Sequence, residues 1–420
     1  MTDDLSGIDP ARLTYVVRRA IGDPAAAVLS WSYERLSWAA INPSTVALYR
    51  VSGTARTGSG QEVPWVVVLK IVGDVDFTGH PLDQDYMHNP EDWNYWQREA
   101  LAFESGLLEN WPGPLRPVRT LGVEHVDNSH SWIWLEAVEG ARPRTRWTRL
   151  EFVDAAYHLG SFAAQWAPEH PSRADYPWLA ERWPRGWLRS IRAIGLDHAL
   201  EHDDCWTSPL LAQLLPEDPQ ARLRSLMADA DRLLDMLESL PVTLAHHDPQ
   251  QSNMFRTAVD ETTVIDWGFC GLAAVGVDLG LFVAGNLNNW AVDPSQAEEH
   301  DAGATTAYLR GLRDFGWKGD ESSVLFARAA AGALVVGSWC GLQASLLCND
   351  SGPELGDDAS KWPYDLAAKQ QISIGAAMSG WAAAFAYILD LGDAARGRGR
   401  GTADGDRELG RGVGRAQGDV

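Results

Sequence analysis

Between Leu244 and Phe255 the chain reads LAHHDPQQSNMF, a His246-x-Asp248-x4-Asn253 pattern. Thirteen residues after Asn253, the apolar pair Val264-Ile265 ends in Asp266. Phosphoryl transfer from a nucleotide needs such parts. One carboxylate must accept or orient the proton of an attacking hydroxyl, and Asp248 suits that role. Oxygen ligands must hold Mg²⁺ on the phosphates; this hard ion takes few protein oxygens and keeps the rest of its shell for phosphate and water. Asn253 and Asp266 suit that second role. A carboxylate behind a buried-type strand is costly unless paired or metal-bound, which argues against Asp266 as an idle surface acid. His246 is expected to pack under the loop and bond to backbone, fixing its shape rather than reacting, and His247 reads as a loop residue.

The elements around this loop divide into a mixed first part and a helical remainder. Asp9-Pro10 opens a short helix, and strands are expected at about 28–38, 45–52 and 65–72, the last of them WVVVLKIV and the strongest in the chain. A helix follows over about 92–109, then strands over about 115–124 and 131–138. Amphipathic patterns then run at 148–166, 220–239, 296–315, 324–347 and 364–391, and the chemistry-bearing stretch 242–269 is a short β-rich insert among them.

The motif segment resembles the catalytic loop and metal-binding strand of the aminoglycoside phosphotransferase and choline kinase-like superfamily, relatives of the protein kinases. The resemblance covers roughly residues 28–390 and is concentrated at 65–140 and 240–282. It implies an α+β, bilobal protein kinase-like fold: a nucleotide-binding N-lobe over 1–137 with an antiparallel sheet and one main helix, and a mainly helical C-lobe over 138–390. The C-lobe would carry the catalytic loop, the metal site and the substrate-binding helices. ATP and Mg²⁺ are the implied cofactors. By the same resemblance Lys70, in the third strand, is the phosphate-binding lysine, and Glu99, on the following helix, is its ion-pair partner. Glu136 and Val138, in WLEAVEG, fall in the last strand and hinge that hold the adenine, and Asp278 supports the catalytic loop. Lys70 is one of only four lysines, with Lys318, Lys361 and Lys369, in a chain that otherwise uses Arg. A compact ammonium on phosphate explains why Arg would not serve there. Two departures stand out. The stretch Leu36–Val46, where the family carries a glycine-rich nucleotide loop, has no glycine, leaving Ser44 and Thr45 as hydroxyl donors. Gln250 stands where Ser/Thr protein kinases have lysine.

Composition narrows the partners. The chain has 420 residues, enough for two domains, and 35 Lys+Arg against 57 Asp+Glu give a formal charge of −22. So negative a surface repels phosphodiester backbones and anionic lipid, so neither nucleic acid nor membrane is expected as a partner. The N-terminus has neither basic nor apolar leader regions, no apolar run of about 18 residues occurs, and the four cysteines show no CxxC spacing. The expectation is a cytoplasmic protein, of open oligomeric state. Residues 391–420 hold nine Gly, six Arg and five acids, a composition that reads as a disordered tail of charge +1, leaving about −23 on the body. Acidic runs at Glu298–Asp301, Asp320-Glu321 and Asp350–Asp358 are solvated faces or a lining for a cationic substrate. The 20 Trp are core, or platforms for a sugar or base.

Three functions remain open on the sequence. The first is a small-molecule O-kinase acting on an aminoglycoside or other antibiotic, a sugar, a nucleoside or an amino alcohol. The second is a kinase for Ser or Thr of a precursor peptide in natural-product biosynthesis. The third is a nucleotide-binding scaffold without turnover, which the complete set Lys70, Asp248, Asn253 and Asp266 argues against.

Overall fold

The computed structural model describes residues 5, 8–36, 44–74, 85–109, 111–138, 147–167, 169–206, 215, 218–258, 260–348 and 374–411. Most of the glycine-free stretch (37–43), Glu139 and Gly140 of the hinge motif, the acidic run Asp350–Asp358 and Trp362 lie outside them. The fold is α+β, with an antiparallel sheet in the N-terminal part and a helical C-terminal part. The chain forms two compact units. The first comprises Met1–Pro143, Pro171–Glu181 and Ser252–Gly271; the second comprises Arg144–His170, Arg182–Gln251 and Leu272–Val420.

In the first unit, helix α1 (Pro10–Ile21) starts on Asp9, whose carboxylate accepts the Ala11 N–H at 2.9 Å. Five strands follow: β1 (Ala27–Arg35), β2 (Thr45–Arg56), β3 (Glu62–Gly73), β5 (Thr120–Asp127) and β6 (His130–Glu136), in the antiparallel order β1-β2-β3-β6-β5. Side chains alternate faces along a strand. On β3, Val67, Leu69 and Ile71 join Leu13, Val16 and Val17 of α1 in one core. Lys70 therefore faces away from α1, in the sheet's central strand, between Leu48 and Ile133 in register.

A short helix α2 (Asp85–His88) precedes the expected 92–109 helix, of which only α3 (Arg98–Glu104) forms. Turns replace its start, and Gly106 at φ 75° follows its end. A second, three-stranded sheet joins distant chain: β4 (Leu115–Pro117) runs parallel to β9 (Glu261–Val264), which pairs antiparallel with β8 (Met254–Ala258). That pairing is why the first unit claims 252–271, rather than the chain dividing at one cut near residue 137.

The second unit is helical. It contains α4 (Arg149–Trp166), α5 (Trp183–Ile191), α6 (Asp197–Glu201), α7 (Pro219–Ala228), α8 (Ala230–Glu238), α9 (Val277–Asn288), α10 (Ala297–Asp314), α11 (Glu321–Ala331), α12 (Gly337–Cys348) and α13 (Ile374–Arg411). Among the described residues, strand β7 (Val242–Ala245) pairs with β10 (Gly271–Ala274), of which Leu272–Ala274 belong to this unit. Thr148 opens α4 with a reciprocal cap to Glu151. Helices α4 and α10 cross closely: a Cβ on Gly160 would stand 2.1 Å from the Tyr308 carbonyl oxygen. The expected 220–239 helix breaks at Asp229. A π-type turn at 332–336 links α11 to α12. Within that rod, Glu321–Ala344 is long and apolar enough to cross a membrane by length and composition, and 83% of its most apolar window is buried inside the protein.

The expected tail is corrected in part. Helix α13 continues to Arg411, and its course from Leu391 is anchored: Leu391 and Ala395 are buried, and Arg396 bonds Asp229 at 2.8 Å. Arg222 of α7 holds Asp390 at 2.6 Å and Asp393 at 2.8 Å. Glycine and charge counts missed this because the few apolar residues fall on one helical face. The described acidic runs also have local work. Glu299 pairs with Arg149, Asp301 with Arg328 and Tyr387, and Asp320 caps α11 through the Ser322 and Ser323 amides, both at 3.1 Å.

Candidate active site

In the first unit three ionisable residues meet. The Lys70 ammonium lies 2.5 Å from Glu99 Oε2 and donates to Asp266 Oδ1 at 2.7 Å. Lys70 and Glu99 are 5% and 2% exposed, whereas the Asp266 side chain is 45% exposed. Burial works against the ammonium, but Asp266 and Glu99 together outweigh it, and the Lys70 pKa is raised. Burial, opposed by Lys70 and reinforced by Asp266, raises Glu99. The lysine is therefore fixed as a cation beside an accessible carboxylate.

Asp266 reaches this place through the hairpin. The β8–β9 register begins at Met254 opposite Val264, and the Ile265 amide donates to the Asn253 carbonyl at 2.9 Å. Asn253 and Asp266 are thereby carried to neighbouring ends of the two strands. Asp266 takes a left-handed conformation, φ 63° and ψ 67°, that Asp tolerates better than branched residues. It opens a short 3₁₀ turn, Trp267–Phe269; Trp267 packs edge-on against Trp111, and Phe269 lies against Trp93. Among the described residues no three His, Cys, Asp or Glu side chains form a group that could hold a metal. One carboxylate and one amide oxygen remain, a donor set that fits Mg²⁺ held chiefly by phosphate and water.

Glu136 is engaged by side chains. Its carboxylate accepts from Arg116 at 2.5 Å and from the Arg119 amide at 2.9 Å. Arg116 also donates to Thr263 at 2.9 Å, tying β6 to the strand that precedes Asp266. Val138, half-buried, follows two residues after β6. Ser44 is buried just before β2, where its carbonyl accepts the Gly73 amide at 2.8 Å, four residues along the strand from the Leu48 that opposes Lys70.

In the second unit, the loop carrying Asp248 leaves β7 and is bolted to α9. Asp278, in the first turn of α9, accepts the His246 amide at 2.8 Å and the His247 amide at 2.9 Å. Burial raises its pKa to about 6, against the pull of those two amides. His246, 1% exposed, accepts the Asp248 amide on Nδ1 at 3.1 Å. A ring nitrogen that accepts carries no proton, so the neutral tautomer is protonated on Nε2. His247 is buried at φ 64° and stacks on Trp183 at 5.1 Å, which stacks on Trp187 at 5.5 Å. Part of the tryptophan excess is thus packing under the loop.

Sequence reasoning missed three residues. Asn286, fully buried on α9, accepts the Gln251 amide at 2.8 Å and donates to Phe282 O at 2.8 Å, fixing the far end of the loop. Asn289 donates to the Gln250 side chain. Arg98, fully buried, donates to backbone carbonyls around α3 and at Gly268. The signal for Asn286 was readable: an amide inside the apolar run LGLFVAGNLN must find partners.

Residues 114–315 match the model of the phosphotransferase enzyme family, APH, which agrees with the resemblance carried by the motifs. No curated protein matches the chain. Among solved structures, a microcompartment-associated aminopropanol kinase is similar at 16% identity and a TM-score of 0.46, over 90% of this chain and 98% of that one. An aminoglycoside phosphotransferase from Alicyclobacillus acidocaldarius is similar at 12% identity and 0.46, over 95% and 98%. A choline kinase from Streptococcus pneumoniae is similar at 13% identity and 0.42, over 87% and 98%.

Proposed function

We propose that this phosphotransferase moves the γ-phosphoryl group of ATP, in the presence of Mg²⁺, to a hydroxyl group of a small molecule. The observation that carries the reading is the buried Lys70 cation held between Glu99 and the accessible Asp266 in a chain whose residues 114–315 match the family model. Lys70 supplies a fixed charge for nucleotide phosphates. Asp266 and Asn253 would hold Mg²⁺, which supplies neutralisation of charge on the β- and γ-phosphates. Asp248, on the loop braced by Asp278 and Asn286, accepts the proton of the acceptor hydroxyl. The acceptor's oxygen, losing its proton to Asp248, bonds to the γ-phosphorus as the bond to the bridging oxygen breaks, and ADP leaves. The formal charge of −22 favours acceptors that carry amino groups, and supports aminoglycosides and amino alcohols over anionic sugars.

The test is ATP turnover with a panel of aminoglycosides, amino alcohols, neutral sugars and nucleosides, using the wild type and Asp248→Asn. Mg²⁺-dependent phosphate ester formation on at least one class, lost in Asp248→Asn, is expected. Wild type that neither binds ADP nor turns over any acceptor overturns the reading.

A further inference from the structure

Arg98 is a buried cation surrounded by backbone oxygens. Its Nε donates to Trp178 O at 2.8 Å, Nη1 to Trp93 O at 2.8 Å and Gly268 O at 3.3 Å, and Nη2 to Pro90 O at 2.8 Å and to Asp92 O. All five carbonyls belong to the first unit. The residue is 0% exposed; among the described residues the Asp92 carboxylate attracts it, but no carboxylate oxygen is hydrogen-bonded to it. Burying a guanidinium with no carboxylate hydrogen-bonded to it is expensive, and the fork geometry that reaches several carbonyls at once is what Arg offers and Lys does not.

The placement gives the cost a purpose. Arg98 and Glu99 are consecutive in the first turn of α3. Glu99 holds Lys70, which holds Asp266, so one side of the turn reaches the carboxylate through two ion pairs. Arg98 reaches the same segment from the backbone side, at Gly268, two residues beyond Asp266. Asp266 sits in a left-handed conformation that a free loop populates sparsely. Gly268 has room for a Cβ, its nearest neighbour being Asp266 Oδ1 at 3.6 Å, so crowding does not hold the turn in place.

We propose that Arg98 is a positioning residue for the metal loop: by clamping the Gly268 carbonyl to the start of α3 it holds Asp266 aimed for Mg²⁺-nucleotide. The inference rests on the phosphotransfer reading and adds to it a residue that touches neither metal nor nucleotide.

The test compares ADP affinity with and without Mg²⁺ by calorimetry, for wild type, Arg98→Lys and Arg98→Gln, each well below its own melting temperature. Loss of an outer partner of a metal ligand typically costs ten- to a hundredfold in metal affinity. The expected result is a Mg²⁺-ADP affinity lowered about tenfold or more, with metal-free ADP affinity nearly unchanged. Equal losses in both states, an unchanged ratio, or two variants that do not fold would assign Arg98 to the core alone and overturn the proposal. A wild type without Mg²⁺-dependent ADP binding would instead bring down the phosphotransfer reading, and this inference with it.

Discussion

In the proposed mechanism Asp248 is a single side chain with a single task, and its prediction belongs at that scale. Asp248→Asn keeps the size of the residue and its backbone contacts but removes the proton acceptor. Turnover should fall by roughly 10²–10⁴-fold, the range of general-base losses, while ADP binding stays close to wild type. Steady-state kinetics beside calorimetry checks this; full activity would remove Asp248 from the mechanism. Lys70 invites a second test. Lys70→Met strands Glu99 without its cation in a buried position, and loss of one partner of such a pair costs about 3 kcal/mol or more. Adding Glu99→Gln should recover part of that loss of stability but none of the nucleotide affinity, as read by denaturant unfolding and ADP binding.

Lys70 drew attention because lysine is scarce in this chain. Lys70 stood out among four lysines, and strand alternation set it on the face away from α1. The partners of Glu136 were not legible, since Arg116 and Arg119 lie 20 and 17 positions away along the chain and only the β4 and β6 geometry brings them to it.

At the scale of elements, the Asp248 loop is only as well placed as its tie to α9. Asp278 gives that tie a pH signature. Its folded pKa, raised by burial to about 6 from the ordinary 3.8, exceeds its unfolded value. The folded state therefore binds the proton more tightly, and stability from this group is present at low pH and lost as pH rises from about 4 to about 6. Wild type minus Asp278→Asn, measured by denaturant unfolding, should fall across that window and be flat above it. Parallel curves would show that the carboxyl is not so perturbed. Helix α9 itself was hard to read: all twelve of its residues are buried, so it has no polar face and no helical period in its pattern. The expected 92–109 helix failed for a different reason. The carbonyls of Pro90, Asp92 and Trp93 turn towards Arg98, where a helix would have pointed them along its axis.

At the scale of the whole molecule, the broad class was readable from the order of strands followed by helices. The chain's division was not, because β9 pairs with β4 across some 145 positions, a contact no local pattern encodes. The C-terminal boundary was misread for a similar reason: Arg396 finds Asp229, and Leu391 finds a buried place, far back in the chain. Ending the protein at Asp390 should lower its melting temperature by several degrees. Leu391→Ala alone should cost about 2 kcal/mol, a typical loss for a buried leucine. Unchanged melting in both would show that this stretch contributes nothing.

The first unit's assembly from three stretches of chain bears on its birth at the ribosome. When residue 143 emerges, the five-stranded sheet can pair, but β9 has not been made, and β4 offers an unpaired edge. Synthesis takes roughly ten seconds more to reach Gly271, and until then Lys70 and Glu99 have no Asp266 beside them. The nascent chain must carry an open strand edge through that interval. A gene fragment stopped at Pro143 would lack β9 altogether and leave that edge of β4 open for good.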